Sequence, residues 1–290
     1  MPKDHIYQTY TLVDSGHGRK LEKFGPYLLS RPCAQAVWKP LLPPAEWQKA
    51  NATFTREGDT KWSTTGELPE QWTITVSGIT FKLSLTDFGH LGIFPEQKPY
   101  WQWITETVQK AKAGGRQTIN VLNLFAYSGG STLAAAKGGA HVCHLDASKG
   151  MVAWARENAA LSGLENAPIR WIIDDVSKFL AREIKRGVRY DAIILDPPSF
   201  GRGSRGEVFK IEDALQKILE DCTTLLSDHP LFVLFTCHSA GFSPIVMHHL
   251  ITQMMDRHSG TIDTGEMYLQ GEGRTLPLPS GVYARWSCGK

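Results

Sequence analysis

The sequence has little that would place the protein in a membrane, an oxidising compartment or a metal site. No apolar run reaches the roughly 18–20 residues that a membrane-spanning helix needs. The first ten residues, MPKDHIYQTY, contain no apolar core, which predicts no secretory signal. The five cysteines show no Cys-x-x-Cys spacing, which argues against a zinc site and against a disulfide scaffold. We therefore expect a cytoplasmic protein without metal or membrane contacts.

A large excess of one charge is also absent. The 31 Lys and Arg residues against 29 Asp and Glu residues leave a formal net charge of +2. This balance excludes a highly basic coating protein but allows a local basic groove. Hydrophobic residues make up 42% of the 290 positions, enough for a packed core without disulfides. The length favours one large domain with a small second one, and it leaves the oligomeric state open.

Two sequence patterns meet near residue 85. Before it, short alternating runs are separated by turn residues, and WTITVSGITFKLSL over 72–85 reads as a hairpin. We predict a small antiparallel β domain over residues 1–85. After it, apolar strands alternate with amphipathic helices, which predicts an α/β domain over residues 86–290. The expected fold is a doubly wound, mostly parallel seven-stranded sheet covered by helices on both faces.

In such sheets, ligands bind beyond the carboxyl ends of the strands, and this chain carries its most distinctive segments there. NLFAYSGGST, residues 123–132, follows the first predicted strand of the large domain. Its glycine pair allows the backbone to approach a ligand, and the helix that follows favours negative charge at its start. The fingerprint G-x-G-x-x-G is missing, which disfavours a dinucleotide site. An ordinary tight turn is the alternative.

Acidic residues end the next two strands. Asp146 ends the second strand, where a carboxylate commonly accepts hydrogen bonds from ribose hydroxyls, while Ser148 is available to cap the next helix. Asp174 and Asp175 end the third strand. One of them is expected either to accept an adenine amino hydrogen, with Val176 against the ring, or to cap the following helix.

The fourth strand ends in Asp196-Pro197-Pro198-Ser199-Phe200. Prolines donate no backbone hydrogen bond and have a restricted φ, so the neighbouring carbonyls are available as acceptors on a rigid backbone. An acid, rigid carbonyls and an aromatic ring suit a planar base with an exocyclic amine. In the glycine-rich segment 201–206, Arg202 and Arg205 are expected to lie on a mobile loop, either contacting phosphate or merely solvated.

The fifth strand ends at Cys237, followed by His238. A thiol there could be a nucleophile if His238 ionised it, but we favour a small residue without a reactive role, since free cysteines are commonly buried. Residues 86–100 are polar and interrupted by glycine, and we predict that they form a flap over the ligand. Arg19, Lys20 and Lys23 in the β domain are candidates for phosphate contacts.

GIFPEQ, NLFAYSGG, LDAS, IDDV and DPPSF follow one another in this order along the chain. Together they resemble the class I S-adenosylmethionine-dependent methyltransferases. More narrowly, the set is similar to the bacterial 23S ribosomal RNA methyltransferases of the cytosine-C5 family and their relatives. The resemblance runs from about residue 88 to the C-terminus. It implies a Rossmann-like fold, S-adenosyl-L-methionine as cofactor, and a ribosomal RNA substrate.

The resemblance also implies roles for individual residues. The cofactor-binding residues implied in this way are Phe94, Pro95, Gln97, Phe125, Ala126, Tyr127, Ser128, Gly129, Asp146, Ala147, Ser148, Asp174, Asp175, Val176 and Asp196. Asp196, Pro197 and Cys237 are the candidate catalytic residues. Pro198, Phe200, Arg202 and Arg205 are the candidate substrate-binding residues.

The sequence departs from the family pattern, since many members have more glycines where this chain has Phe125 and Tyr127. Many members have an acidic residue where this chain has Asn123, and the RNA-binding domain that precedes many of them is not recognisable. The modified atom is therefore left as either cytosine C5, which needs a thiolate, or a base nitrogen, which does not. A nicotinamide-dependent oxidoreductase and a catalytically silent RNA-binding module are the alternative functions, and a protein or small-molecule substrate also stays open.

Overall fold

The computed structural model describes residues 10–56, 61–202 and 208–289. The chain divides into two compact units. The first comprises Met1–Lys98 with Tyr268–Ser280, and the second comprises Pro99–Met267 with Gly281–Lys290. Segment 86–98 thus groups with the first unit, whereas the sequence analysis assigned it to the large domain. The predicted domain boundary after residue 85 stays a prediction.

The first unit contains a five-stranded sheet and a separate hairpin. The sheet strands are β1 (Tyr10–Gly16), β2 (Arg19–Phe24), β3 (Tyr27–Pro32), β4 (Ala52–Thr55) and β5 (Lys61–Thr64), in that spatial order. Neighbouring strands are antiparallel except for β3 and β4, which are parallel. A short helix, α1 (Pro44–Trp47), lies in the connection between those two strands, which is long enough for a parallel crossover.

The predicted hairpin over residues 72–85 is present as β6 (Trp72–Val76) and β7 (Ile79–Leu83). The two turn residues, Ser77 and Gly78, have φ values of 53° and 69°. Two successive positive φ values are what a two-residue turn needs to match the twist of its strands. Along each strand, buried and half-buried residues alternate, so one face of the hairpin packs inward.

A buried ion pair joins strands β2 and β3. Arg31 Nε lies 2.7 Å from Glu22 Oε2, and Arg31 Nη2 lies 2.9 Å from Glu22 Oε1. Glu22 is fully buried and also accepts a hydrogen bond from the Tyr10 hydroxyl at 3.0 Å. Burial by itself would raise the pKa of Glu22, but Arg31 and Lys20 hold that pKa below its usual value. The carboxylate therefore stays ionised inside the unit.

The second unit is a doubly wound α/β domain. Its sheet strands are β8 (Asn120–Leu124), β9 (His141–Asp146), β10 (Ile169–Ile173), β11 (Ala192–Leu195), β14 (Phe232–Cys237), β15 (Gly260–Leu269) and β16 (Leu278–Cys288). A two-stranded sheet is formed by β12 (Phe200–Arg202) and β13 (Val208–Lys210). The helices are α2 (Lys98–Ala113), α3 (Gly130–Lys137), α4 (Lys149–Leu161), α5 (Val176–Lys185), α6 (Ile211–Leu225) and α7 (Pro244–Met254).

The seven-stranded sheet has the order β10-β9-β8-β11-β14-β16-β15. The first five strands in this order are parallel, and β16 runs antiparallel to β14. Every residue of β11 and β14 is buried, as expected for central strands covered on both faces. The predicted fold is therefore confirmed. Within the described ranges, no helix is long and apolar enough to cross a bilayer.

The ion pair gives a stability prediction. Replacing the guanidinium in Arg31→Met leaves Glu22 buried without its main partner, so we expect the free energy of unfolding to fall by about 3–5 kcal/mol. Urea denaturation at neutral pH measures this difference. Because the folded-state pKa of Glu22 is lowered, the stability from the pair is fully present above the unfolded-state pKa of about 4.3, and the loss in Arg31→Met should shrink as the pH falls from there through the lower folded-state pKa.

The control is Lys49→Met, which breaks an exposed pair with Glu46 at 2.7 Å. Exposed pairs contribute about 0–1 kcal/mol, so this variant should unfold almost as the wild type does. Equal effects of the two substitutions would contradict the role assigned to the buried pair.

Candidate active site

Strand register gathers the predicted site residues at one edge of the large sheet. Leu124, the last residue of β8, pairs with Leu145 of β9 and with Leu195 of β11. Asp146 in turn pairs with Ile173 of β10. The segments that follow these strands therefore begin side by side. In the sheet, β9 lies on one side of β8 and β11 lies on the other. The strand order therefore changes direction at β8, and such sheets bind ligands at this switch point, beyond the carboxyl ends of the strands.

The turn after β8 has an unusual backbone. Phe125, Tyr127 and Gly129 have φ values of 55°, 49° and 91°. L-residues with side chains rarely adopt this region, and each such residue costs about 1–2 kcal/mol. Alternation of left-handed residues with others turns successive N–H groups inward, a geometry that suits anionic oxygen atoms. Strain of this kind at a strand end marks a candidate functional site.

Asp146 is the acid towards which this turn is directed. Its Oδ2 accepts a hydrogen bond from the Tyr127 N–H at 2.9 Å, and its Oδ1 accepts one from the Ser148 N–H at 2.8 Å. Burial raises the pKa of Asp146, and these two backbone donors oppose that effect. Ser148 caps α4 through its Oγ, which accepts from the Met151 N–H at 3.3 Å. Ala147 lies between the carboxylate and this cap.

The glycine pair has a packing role that the sequence did not predict. A Cβ on Gly129 would lie 3.0 Å from the Ala155 Cβ of α4. A Cβ on Gly130 would lie 2.5 Å from the ring of Trp101 in α2. The start of α3 thus fits closely between α2 and α4, and larger residues at these positions would move it.

A buried polar chain runs beneath the turn. Asn123 Nδ2 donates to Thr132 Oγ1 at 2.9 Å, and Thr132 Oγ1 lies 2.9 Å from His144 Nδ1. Burial lowers the pKa of His144 to about 3, so the ring is neutral at ordinary pH. A fully buried Asn158 donates to the Ser128 carbonyl at 2.9 Å. These supporting residues were missed from the sequence, where they read as members of ordinary strands and helices.

One of the two acidic residues after β10 caps the following helix, which is one of the two alternatives predicted for them. Asp175 caps α5, accepting from the Lys178 N–H at 3.0 Å. Asp174 pairs with Arg182 and accepts from the Asp175 N–H at 2.9 Å. Val176 is 5% exposed and belongs to the core of the unit. An adenine contact for these residues stays a prediction.

The end of β11 lies beside the end of β14. His238 Nε2 is 3.6 Å from Asp196 Oδ1, and Ser239 Oγ donates to Ser199 Oγ at 2.7 Å. Two hydroxyls thus join the segment after Asp196-Pro197-Pro198 to the segment after Cys237. Asp196 is therefore placed next to a histidine, an arrangement that the sequence did not predict.

Cys237 is fully buried. Burial raises the pKa of its thiol, and nearby Asp196 and Glu212 raise it further, against hydrogen bonds involving Ser239 that lower it. A raised pKa disfavours the thiolate that a nucleophile requires. The suggestion that His238 could ionise this thiol is not supported, because the imidazole lies near Asp196 instead.

Only Gly201 and Arg202 of the predicted mobile loop, segment 201–206, lie in the described part of the chain. Phe200 and Gly201 lie in β12 and pair with residues of β13, so this part of the segment is a strand. Phe200 is half exposed, and Phe209 of β13 packs against Phe125 with ring centroids 5.2 Å apart. Arg202 pairs with Val208 in the register of this sheet, and Arg205 lies outside the described residues.

The remaining predicted cofactor residues belong to the first unit. Pro95 and Gln97 are buried in a 3₁₀ helix, Pro95–Gln97, which Phe94 precedes. Between them, Glu96 accepts a hydrogen bond from Ser280 Oγ at 3.0 Å. Their cofactor contacts and the flap over residues 86–100 stay predictions. Nowhere in the described ranges do three His, Cys, Asp or Glu residues gather as metal ligands would.

Comparison with known proteins now identifies the chemistry. A family model described as S-adenosylmethionine-dependent methyltransferase matches residues 51–244. The chain belongs to this family. The methyltransferase is 41% identical to a solved SAM-dependent methyltransferase from Agrobacterium tumefaciens, with a TM-score of 0.91, covering 97% of this chain and 90% of that one. It is thus an enzyme whose cofactor is S-adenosylmethionine, and the oxidoreductase and silent-module alternatives are set aside.

Two curated relatives are ribosomal RNA enzymes by name. The methyltransferase is 31% identical over 174 residues to the ribosomal RNA large subunit methyltransferase K/L of Shewanella baltica. It is 28% identical over 174 residues to the ribosomal RNA large subunit methyltransferase K of Neisseria meningitidis serogroup B. Each match covers 59% of this chain. The matched part spans 23% of the Shewanella protein and 47% of the Neisseria protein.

The contacts of Asp146 predict a defect in cofactor binding. In the wild type, each carboxylate oxygen of Asp146 accepts a backbone N–H, from Tyr127 or Ser148. In Asp146→Asn, the side-chain NH₂ group replaces one of these oxygens, so one acceptor and one charge-assisted hydrogen bond are lost. We expect the affinity for S-adenosylhomocysteine to fall by about 30-fold or more, measured by isothermal titration calorimetry.

The exposed Asp256 provides the control, since Asp256→Asn makes the same chemical change away from the sheet edge. Its affinity should match the wild type. An Asp146→Asn protein that is folded by circular dichroism and binds S-adenosylhomocysteine normally would refute the assignment.

Proposed function

We propose that this enzyme methylates a base nitrogen of ribosomal RNA. The names of the Shewanella and Neisseria relatives support an RNA substrate. The observation that favours nitrogen is the placement of Asp196, Pro197 and Pro198 at the switch-point edge, combined with a buried Cys237 whose thiol pKa is raised.

The residues at this edge fit the cofactor. Asp146 presents an ionisable carboxylate at the end of β9, in the position where ribose hydroxyls are commonly held. In the proposal, the turn of residues 125–129 follows the amino-acid part of the cofactor, and Asp175 with Val176 borders the adenine. When bound, S-adenosylmethionine supplies a sulfonium methyl group for in-line transfer.

The segment Asp196-Pro197-Pro198 positions the target nitrogen. The Asp196 carboxylate accepts a hydrogen bond from the exocyclic N–H, and the Pro197 carbonyl accepts a second one. These contacts aim the nitrogen lone pair at the methyl group, so that alignment accounts for much of the rate. With the cofactor bound, the lone pair would form the new N–C bond as the methyl–sulfur bond breaks and leaves its electron pair on sulfur, and the nitrogen would then release a proton to Asp196 or to water. His238 Nε2 lies 3.6 Å from Asp196 Oδ1, so the imidazole borders this carboxylate.

Methylation at cytosine C5 makes different demands. A thiolate must add to C6, and a base must then remove the C5 proton. Cys237 is the cysteine at this edge, and burial disfavours its ionisation. Cytosine C5 is therefore the second candidate target.

The experiment is methyl transfer to RNA from cells that lack the enzyme. Purified protein, 23S ribosomal RNA and isotopically labelled S-adenosylmethionine are incubated, and the RNA is digested for mass spectrometry of its nucleosides. We expect the label in one N-methylated base. Label in 5-methylcytidine would move the assignment to C5, and RNA without label would overturn the proposed substrate.

A pair of variants separates the two mechanisms. We expect Cys237→Ala to retain turnover within about tenfold, because no covalent adduct is formed. Asp196→Asn should lose about 100-fold or more in turnover while its S-adenosylhomocysteine affinity stays within about tenfold. A dead Cys237→Ala protein with intact cofactor binding would instead indicate a thiol nucleophile.

A further inference from the structure

Two hydroxyl groups connect the segment after β11 to the segment after β14. Ser239 Oγ donates a hydrogen bond to Ser199 Oγ across 2.7 Å. Ser239 is 7% exposed, whereas the side chain of Ser199 is exposed. The two residues are 40 positions apart in sequence, so they meet only in the folded sheet. Neither serine is among the catalytic, cofactor-binding or substrate-binding residues that the sequence predicts.

The bond lies just beyond the point where the backbone pairing of the two strands ends. The paired residues of β11 and β14 extend from Ala192 with Phe232 to Leu195 with Phe235. Asp196 then precedes two prolines, which have no N–H group with which to continue a ladder. The prolines therefore cannot donate to the β14 side, and contacts beyond this point must be made by other groups. The hydroxyl pair is one such contact, directly after the second proline.

Ser199 is also held through its backbone. Its carbonyl accepts a hydrogen bond from the Ile211 N–H at 3.2 Å, at the start of α6. Ile211 is fully buried and belongs to the core of the unit. On the other side of the pair, the Ser239 carbonyl accepts from the Phe242 N–H at 3.4 Å. Ser199 is thus fixed at two points, by its carbonyl on a core helix and by its hydroxyl on the turn after β14.

The link is close in sequence to the two acceptors that the proposed function assigns to the target nitrogen. Ser199 follows Asp196 by three residues and Pro197 by two. The proline rings restrict φ, so a displacement of Ser199 is transmitted along a stiff segment instead of being absorbed by rotation. A shift of about 1 Å in a reacting group can cost about 100-fold in rate. The bond between the two hydroxyls can therefore affect transfer without contacting the RNA.

We propose that Ser239 is a positioning residue for methyl transfer, acting through Ser199 to fix the Asp196-Pro197-Pro198 segment beside the target base. The inference rests on the proposed function, because it states how the two acceptors of that site keep their place.

A second role for Ser239 would involve Cys237. Burial raises the pKa of the Cys237 thiol, and hydrogen bonds involving Ser239 oppose this effect. If Ser239 acted through the thiol, the hydroxyl of Ser199 would be dispensable. Mutation of the two serines therefore separates the two roles.

The first test compares two variants of similar shape at Ser199. Threonine and valine are both β-branched, and only threonine retains a hydroxyl. Transfer of label from S-adenosylmethionine to 23S ribosomal RNA gives kcat and KM for the full chain. We expect Ser199→Val to lower kcat about tenfold, with the KM for RNA and the S-adenosylhomocysteine affinity within about twofold, because the bond acts on the reacting geometry and not on binding. Ser199→Thr should retain kcat within about twofold.

Ser239 is tested by truncation and by a double variant. Ser239→Ala should lower kcat as much as Ser199→Val does, and the double variant should be no slower than either single one, because both changes break the same bond. The control is Ser287→Ala, which breaks an exposed hydroxyl pair with Thr261 at 3.3 Å and should leave kcat unchanged. The thermal midpoint of every variant should stay within about 4 °C of the wild type, which excludes general damage to the fold.

Amide hydrogen exchange, followed by NMR, reports on the segment without any substrate. The Ile211 N–H donates to the Ser199 carbonyl, so its exchange should become about threefold faster or more in Ser239→Ala and Ser199→Val but not in Ser199→Thr. The reference is the Met247 N–H, which donates to the Ser243 carbonyl at 3.0 Å at the start of α7 and should be unaffected.

Normal kcat and normal Ile211 exchange in Ser239→Ala would overturn the proposal. A slow Ser239→Ala enzyme beside a normal Ser199→Val enzyme would also overturn it and would connect Ser239 with Cys237 instead. The reverse result would overturn it too, since Ser199 would then act on the RNA directly. A wild-type enzyme that transfers no label to RNA refutes the proposed function, and exchange of the Ile211 amide then decides whether the hydroxyl pair fixes the segment.

Discussion

The carboxylate of Asp146 connects three elements of the methyltransferase unit. It ends β9, it accepts the Tyr127 N–H of the turn after β8, and it accepts the Ser148 N–H at the start of α4. Hydrogen bonds to this one side chain thus connect the end of β9, the turn after β8 and the start of α4. The left-handed Tyr127 depends on this acceptor, since without it the Tyr127 N–H would lose its hydrogen-bond partner. The geometry of the turn after β8 therefore depends on this carboxylate.

Much of the fold could be predicted from sequence because it follows from local patterns. Alternating apolar strands and amphipathic helices predicted a mostly parallel seven-stranded sheet, and Ser77-Gly78 marked the hairpin. The acids at strand ends were located because strand ends are visible as the ends of apolar runs. Phe125 and Tyr127 in left-handed conformation could not be predicted, since aromatic residues have no intrinsic preference for it. Only contacts made after folding hold them there.

Other features of the structure could not be predicted because they depend on contacts between residues that are distant in sequence. Asp14 organises a segment some 30 positions later through Leu42 and Trp47, and nothing in its local pattern indicates this. Thr132 and His144 belong to different elements and meet only in the folded sheet. For Cys237, a small residue without a reactive role was favoured, and this stays a prediction. Its thiol is buried, and the His238 imidazole lies near Asp196.

The left-handed residues of the turn after β8 also affect the stability of the fold. Glycine adopts a positive φ without strain, whereas Phe125 and Tyr127 do not. The backbone at these two positions therefore lowers the stability of the fold relative to glycine. A glycine at position 125 would also remove the contact between the rings of Phe125 and Phe209. Any stability gained by relaxing the backbone of this turn would therefore be offset by the loss of packing between the turn and β13.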